Sequence, residues 1–166
     1  MTRTTKLAWL LAGVGVIAAA LATARARPLL IYNPSNSVPT GFYARAPGTP
    51  KLRDFVIVRA AMASSEEAAR RDYADPTDRF IKRVAAVAGN TICASGNQVV
   101  IDGQRIITRQ ETSALGHPLP TWSGCRTLTD SEVFLLGDTP DSFDGRYWGP
   151  VSVNDIDGPW RHIGER

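Results

Sequence analysis

The chain is poor in the residues that metal and redox enzymes recruit. Its 166 residues include two cysteines (Cys93, Cys125), two histidines (His117, His162) and three lysines (Lys6, Lys51, Lys82). Two thiols with no CxxC and two distant histidines make a poor ligand set, so neither a metal nor a cofactor is expected. No GxxxxGK[ST], GxGxxG behind a strand, HExxH or GxSxG occurs, which argues against nucleotide-binding, zinc-peptidase and α/β-hydrolase chemistry. A Ser-His-Asp triad would have to use His117, beside Pro118 in a loop, or His162, close to the C-terminus; both read as surface histidines. Repeats and low-complexity tracts are missing as well. Nor is the body basic. Residues 1–27 hold Arg3, Lys6, Arg25 and Arg27 with no acid, which leaves 15 basic and 16 acidic residues in the rest. The formal charge of +3 therefore belongs to the leader, and nucleic acid is not an expected partner.

That leader is the first positive signal. Leu7 to Ala24 carries no charge over 18 residues. As a helix it would span about 27 Å, close to a bilayer core. Three readings compete: a retained signal anchor, a signal peptide cleaved at the small-x-small Ala24-Arg25-Ala26, or a buried soluble helix. The chain divides accordingly into a signal or anchor segment, 1–27, and a folded body, 28–166.

The body reads as mainly β with one short helix. Residues 28–53 are rich in Pro, Gly, Ser and Asn and read as extended loop and turns. Phe55–Val58, Arg79–Val87 and Val133–Leu136 read as strands, with a turn at Gly89-Asn90. Gln98–Ile107 reads as a hairpin around Asp102-Gly103. Ser64–Tyr73 is the helix, with Ser64 and Glu67 at capping-box spacing. His117–Cys125 reads as a Pro/Gly-rich loop, and Gly137–Pro150 as a long turn-rich segment. Short strands punctuated by Gly and Pro suggest an irregular barrel or paired sheets. An even pair of cysteines in an exported chain suggests a Cys93–Cys125 disulfide; two separate buried thiols are the alternative.

Lysine usage singles out Lys82. Sixteen of the nineteen basic residues are arginine, and Lys82 shares a strand face with Phe80 and Val84. Drawn into an apolar site, its ammonium is disfavoured, and a neutral amine can act as general base toward a hydroxyl. The alternative is a lysine that snorkels to water from a sheet edge. A hydroxyl is offered by Ser37, in the turn Asn33-Pro-Ser-Asn-Ser-Val-Pro-Thr-Gly41, with Ser35 beside it. A serine in a tight turn can present its Oγ and nearby N–H groups to one carbonyl, or merely bond its own backbone.

Three segments occur in an order that resembles the type I signal peptidases. They are Ser35-Asn-Ser37-Val-Pro39, Phe80-Ile-Lys82-Arg83-Val84 with Gly89-Asn90, and Gly137-Asp138 followed by Ser142-Phe-Asp144-Gly-Arg146-Tyr-Trp-Gly149. The likeness covers residues 29–151 and is nearest to the TraF branch of conjugative-transfer peptidases. The resemblance implies a signal-peptidase-like β body. It implies Ser37 as nucleophile, Lys82 as general base, Ser35 as oxyanion-hole hydroxyl and Ser142 as the serine that orients the lysine. Asp144 and Arg146 match a structural ion pair. Asp155, near the C-terminus, tunes such a site or is a solvated turn acid. Val38 stands where the family usually has methionine, and Asn90 where it has aspartate. The implied partner is a membrane-tethered precursor, a conjugative pilin for the TraF branch or a signal peptide for a general signal peptidase. Pilin processing there can include removal of a short tail and head-to-tail closure. The implied location is the bacterial inner membrane with a periplasmic body. A non-catalytic pilus assembly factor is the reading from a different class; it has no need of Ser37 or Lys82.

Overall fold

The computed structural model describes residues 28–60, 78–113 and 116–164. The leader, 1–27, and the expected helix at Ser64–Tyr73 lie outside those residues. Among the described residues, no helix is long and apolar enough to cross a membrane.

Among the described residues, eleven strands and one short helix follow in chain order: β1 (Leu30–Asn33), β2 (Gly41–Arg45), β3 (Phe55–Arg59), β4 (Arg79–Ala86), β5 (Thr91–Ser95), β6 (Gln98–Ile101), β7 (Arg105–Thr108), β8 (Gly124–Thr127), β9 (Glu132–Leu136), α1 (Gly145–Trp148), β10 (Val151–Ser152) and β11 (Ile156–Ile163). A seven-stranded antiparallel sheet runs β1-β2-β11-β3-β4-β9-β10, and a four-stranded sheet runs β7-β6-β5-β8. The paired-sheet expectation therefore describes the body better than a closed barrel, since β1 and β10 end the large sheet without meeting.

The central strands are those whose sequences are apolar on both faces. β3 (FVIVR) and β9 (EVFLL) flank β4, and their inner residues are buried. β5 and β6 bury Ile92, Ala94, Val99 and Ile101 against Ala86, Phe134 and Leu136 of the large sheet, which joins the two sheets through one core. The β6–β7 hairpin turns where expected, with Asp102 at φ 52° and Gly103 at φ 67°.

Four segments depart from the sequence reading. Residues 28–53 are not all loop, because β1 and β2 lie within them. β2 is held from its other side by β11 at the opposite end of the chain, Arg45 facing Trp160. The β11 strand was not expected; its Gly158-Pro159 interrupts the pattern, and the ladder accommodates it with a register shift between Asp157 and Trp160. The Pro/Gly-rich His117–Cys125 stretch ends inside β8. The turn-rich Gly137–Pro150 stretch contains α1, a single turn capped by the Asp144 carboxylate, which accepts from Arg146 N–H. Four residues are too few to show a helical period.

Candidate active site

The turn between β1 and β2 is built around Asn33, which is 5% exposed. Its side-chain N–H groups donate to the carbonyl oxygens of Ser35 (2.8 Å), Pro39 (3.1 Å) and Val38 (3.3 Å), and its Oδ1 accepts from Ser35 N–H (3.2 Å). From below, the Tyr43 hydroxyl donates to Pro39 O at 2.6 Å. Tyr43 is fully buried, and burial first, then the Asp138 carboxylate, pushes its pKa up to about 12, so it stays a donor. His162 Nε2 lies 2.8 Å from Thr40 O. It is half-buried against this turn rather than a bare surface histidine; His117 is exposed, as expected. Val38 is 1% exposed and anchors the turn in the core with Tyr43, Ile57, Ile81 and Trp160.

Between these clamps, the turn presents Ser35 and Ser37. Lys82 Nζ lies 2.9 Å from Ser37 Oγ. Ser35 Oγ lies 3.2 Å from Ser37 Oγ and accepts from Ser37 N–H at 3.3 Å. Lys82 comes from the middle of β4, opposite Val56 of β3, and is 3% exposed, with the Phe80 ring 5.5 Å from Nζ. A hydroxyl and an amine at this separation, beside a second hydroxyl and a main-chain N–H, can carry out proton transfer and stabilise a developing oxyanion. The groups open into a groove of about 260 Å³, lined also by Arg79, Ile81, Thr139 and Asp141.

The segment after β9 closes the other side. Gly137 N–H donates to Asp144 Oδ2 (2.7 Å), and Asp138 N–H donates to Ser37 O (2.6 Å). A Cβ on Gly137 would overlap Ser142 Oγ and come within 2.7 Å of Ser37 O, so glycine is what allows this approach. Asp144, wholly buried, pairs with Arg146 at 2.8 Å, and Arg146 also donates to Pro140 O (2.5 Å) and Thr139 O (3.1 Å). One ion pair thus fixes the loop that carries Ser142. Ser142 Oγ lines the groove but has no hydrogen-bond partner among the described residues, so the expected contact with Lys82 is not made here. On the outer side, Arg83 forms a two-pronged pair with Asp138 (2.9 and 2.7 Å) and lies 4.0 Å over the Phe55 ring. The exposed Asp141 carboxylate is held below the usual range by the Thr139 hydroxyl, then by its own N–H, with Arg146 and Lys82 adding to the effect.

Asp155 stands apart, in a one-turn 3-10 helix (Val153–Asp155), and is not among the groove residues. Cys93 and Cys125 face each other across β5 and β8, and their sulfurs are joined. The bond staples the smaller sheet and does not touch the groove. The positions to which the sequence reading gave no role are Asn33, Gly137, Asp138, Arg83 and His162. Asn33-Pro34 carried an Asx-turn signal; the others act through contacts distant in sequence.

A family model described as signal peptidase, peptidase S26, matches residues 3–163. The chain belongs to that family. A peptidase role follows from membership. A plasmid transfer protein TraF of Escherichia coli is 30% identical over 137 residues, covering 75% of this peptidase and 76% of the relative. A second E. coli TraF is 35% identical over 81 residues, 46% of each chain. The TraF-type character read from the sequence agrees with both. A signal peptidase I of Leptolyngbya laminosa is 29% identical over 92 residues, 55% of this peptidase and 44% of the relative. This peptidase thus spans under half of two of these relatives and three quarters of the third. A crystal structure of a signal peptidase I from Enterococcus faecalis superposes with a TM-score of 0.40 at 18% identity, over 69% of this chain and 98% of that one.

Proposed function

We propose that the chain is a serine endopeptidase in which Ser37 is the nucleophile and Lys82 the general base, and that it processes a membrane-tethered exported precursor, the conjugative pilin. The observation that carries this reading is the 2.9 Å separation of Lys82 Nζ and Ser37 Oγ, with Lys82 only 3% exposed, at the floor of an open groove. Neutral Lys82 takes the Ser37 proton as Oγ attacks the scissile carbonyl. Ser37 N–H and the Ser35 hydroxyl, released from its contact with Ser37 Oγ, hold the oxyanion. The Lys82 ammonium returns the proton to the leaving amine, and water or an amine of the substrate then resolves the ester on Ser37. Ser142 lends its hydroxyl to Lys82 once the groove is filled; Asp144 and Arg146 hold the loop that carries it.

The uncharged stretch Leu7–Ala24 and the joined Cys93 and Cys125 support an inner-membrane anchor with a periplasmic body. The TraF relatives, named as plasmid transfer proteins, favour a substrate of plasmid transfer, and the sequence resemblance points to the pilin. The signal peptidase I relative supports a second reading, in which the same groove removes signal peptides from many exported chains. Processing in cells that carry Ser37→Ala separates the possibilities. Accumulation of pilin precursor alone supports the first reading, and accumulation of many precursors the second. Normal maturation of both removes the peptidase proposal and leaves the assembly-factor reading.

A further inference from the structure

A second cleft lies beside the smaller sheet, and at about 450 Å³ it is larger than the groove that holds Ser37. The two share no lining residue. We propose that this second cleft binds the end of a peptide chain, with Arg109 receiving the terminal carboxylate.

Arg109 follows β7 directly and is 5% exposed. Its Nε donates to Gly96 O (2.8 Å) and its Nη1 to Arg146 O (3.3 Å). That engages two of the five guanidinium N–H groups, and Arg109 lines the cleft. The described body buries two arginines this deeply. Arg146 has the Asp144 carboxylate against it, whereas Arg109 has no carboxylate within ion-pair distance among the described residues. A buried guanidinium without an acid is an unfinished ion pair, and its planar fork matches a carboxylate held by two parallel hydrogen bonds.

The rest of the lining selects among anions. Asn97, Gln110 and Ser123 carry the amide and hydroxyl groups that pair with peptide N–H and C=O groups. The Trp122 indole, its Nε1 already donating to Gly145 O at 3.1 Å, presents an apolar wall to a side chain. Glu111 also lines the cleft and opposes a doubly charged ligand such as phosphate, while one carboxylate on an otherwise neutral chain meets less repulsion. Behind the lining stands α1, whose Arg146 and Gly145 carbonyls accept from Arg109 and Trp122.

The test uses the full-length chain in detergent micelles, with NMR signals of Arg109 Nε–H and Trp122 Nε1–H as readouts. The probes are N-acetylated tripeptides that end in Ala, Leu, Phe or Lys, each as the free acid and as the C-terminal amide, and inorganic phosphate. At least one free acid is expected to shift both signals saturably, with its amide and phosphate binding at least tenfold more weakly. Thr121→Glu, at an exposed position on the rim, is expected to weaken the acid at least tenfold with the fold intact, and Ser37→Ala to leave its binding unchanged. The proposal is overturned by any of four results: no saturable shift from any acid, equal binding of acid and amide, phosphate binding as well as the acid, or loss of binding in Ser37→Ala.

Discussion

Asp138 donates its main-chain N–H to the carbonyl oxygen of Ser37 across 2.6 Å, and Gly137 makes that approach possible. The Ser37 turn is thus tied directly to the loop whose shape depends on the buried Asp144–Arg146 pair. Gly137→Ala would press a methyl group onto Ser37 O and the Ser142 side chain. Overpacking of this kind costs about 1–3 kcal/mol, which lowers the melting temperature by several degrees. Activity should fall more than that loss explains, because the displaced atoms belong to the turn that carries Ser37, the proposed nucleophile. Thermal melts and kcat on one preparation check this; a fully active variant would contradict the tight contact.

Lys82→Arg tests the base. Guanidinium stays protonated and cannot accept the Ser37 proton, so the variant should be inactive yet folded. In the proposed mechanism the neutral amine is the working form, which the burial of Lys82 favours. Activity should therefore rise from mildly acidic to mildly alkaline pH. A fully active Lys82→Arg enzyme excludes the general-base role.

Asp141 opposes that burial. Its carboxylate and Lys82 interact, and a negative charge nearby favours the ammonium. Asp141→Asn removes the charge, so the rising limb of the pH–activity profile should move to lower pH. Asp141 is exposed at the rim, so salt should shrink the shift. Profiles at low and high ionic strength measure both effects. A move to higher pH would show that Asp141 does not act on Lys82.

Asn33→Ala removes the clamp beneath the Ser37 turn. The carbonyl oxygens of Ser35, Val38 and Pro39 lose a shared donor. Each buried polar group left unpaired costs roughly 1–3 kcal/mol, and small displacements of a nucleophile can cost about a hundredfold in rate. The expectation is a drop in kcat with a lesser change in KM. Equal kcat in both proteins would assign Asn33 to folding alone.

The legible parts of this molecule were the ones encoded locally. Lys82 showed itself because its strand alternates and lysine is scarce, and Ser37 because Pro39 and Gly41 make the backbone turn beside it. What the sequence concealed depends on distant pairing. β1 and β2 look like loop because β2 is stabilised by β11, more than a hundred residues away. α1 is one turn long, too short to show a helical period, and is held by its Asp144 cap and by the packing of Tyr147 and Trp148 on Phe143 and Phe80. Arg83 and Asp138 were visible inside quoted motifs, but only the fold brings them together across 55 positions. The Ser142–Lys82 contact was expected from resemblance, and Ser142 Oγ has no hydrogen-bond partner among the described residues.

The disulfide ties stability to cellular location and leaves the groove untouched. Cys93 and Cys125 sit opposite each other in the smaller sheet, 32 positions apart in sequence. For a loop of this length, chain-entropy models give about 3–4 kcal/mol of stabilisation. Replacing both cysteines with serine should lower the melting temperature clearly. Neither sulfur reaches the groove, so kcat well below the new melting point should stay close to that of the unaltered enzyme. The bond persists only outside the reducing cytoplasm. Thiol labelling of intact cells should therefore modify Cys93 and Cys125 after reductant and leave them unmodified before it, and added protease should reach the body once the outer membrane is opened. Free thiols in the cell would remove the stabilising role but leave Ser37 and Lys82 as they are. A body shielded on the cytoplasmic side would be the graver result, because the groove would then face away from any exported precursor.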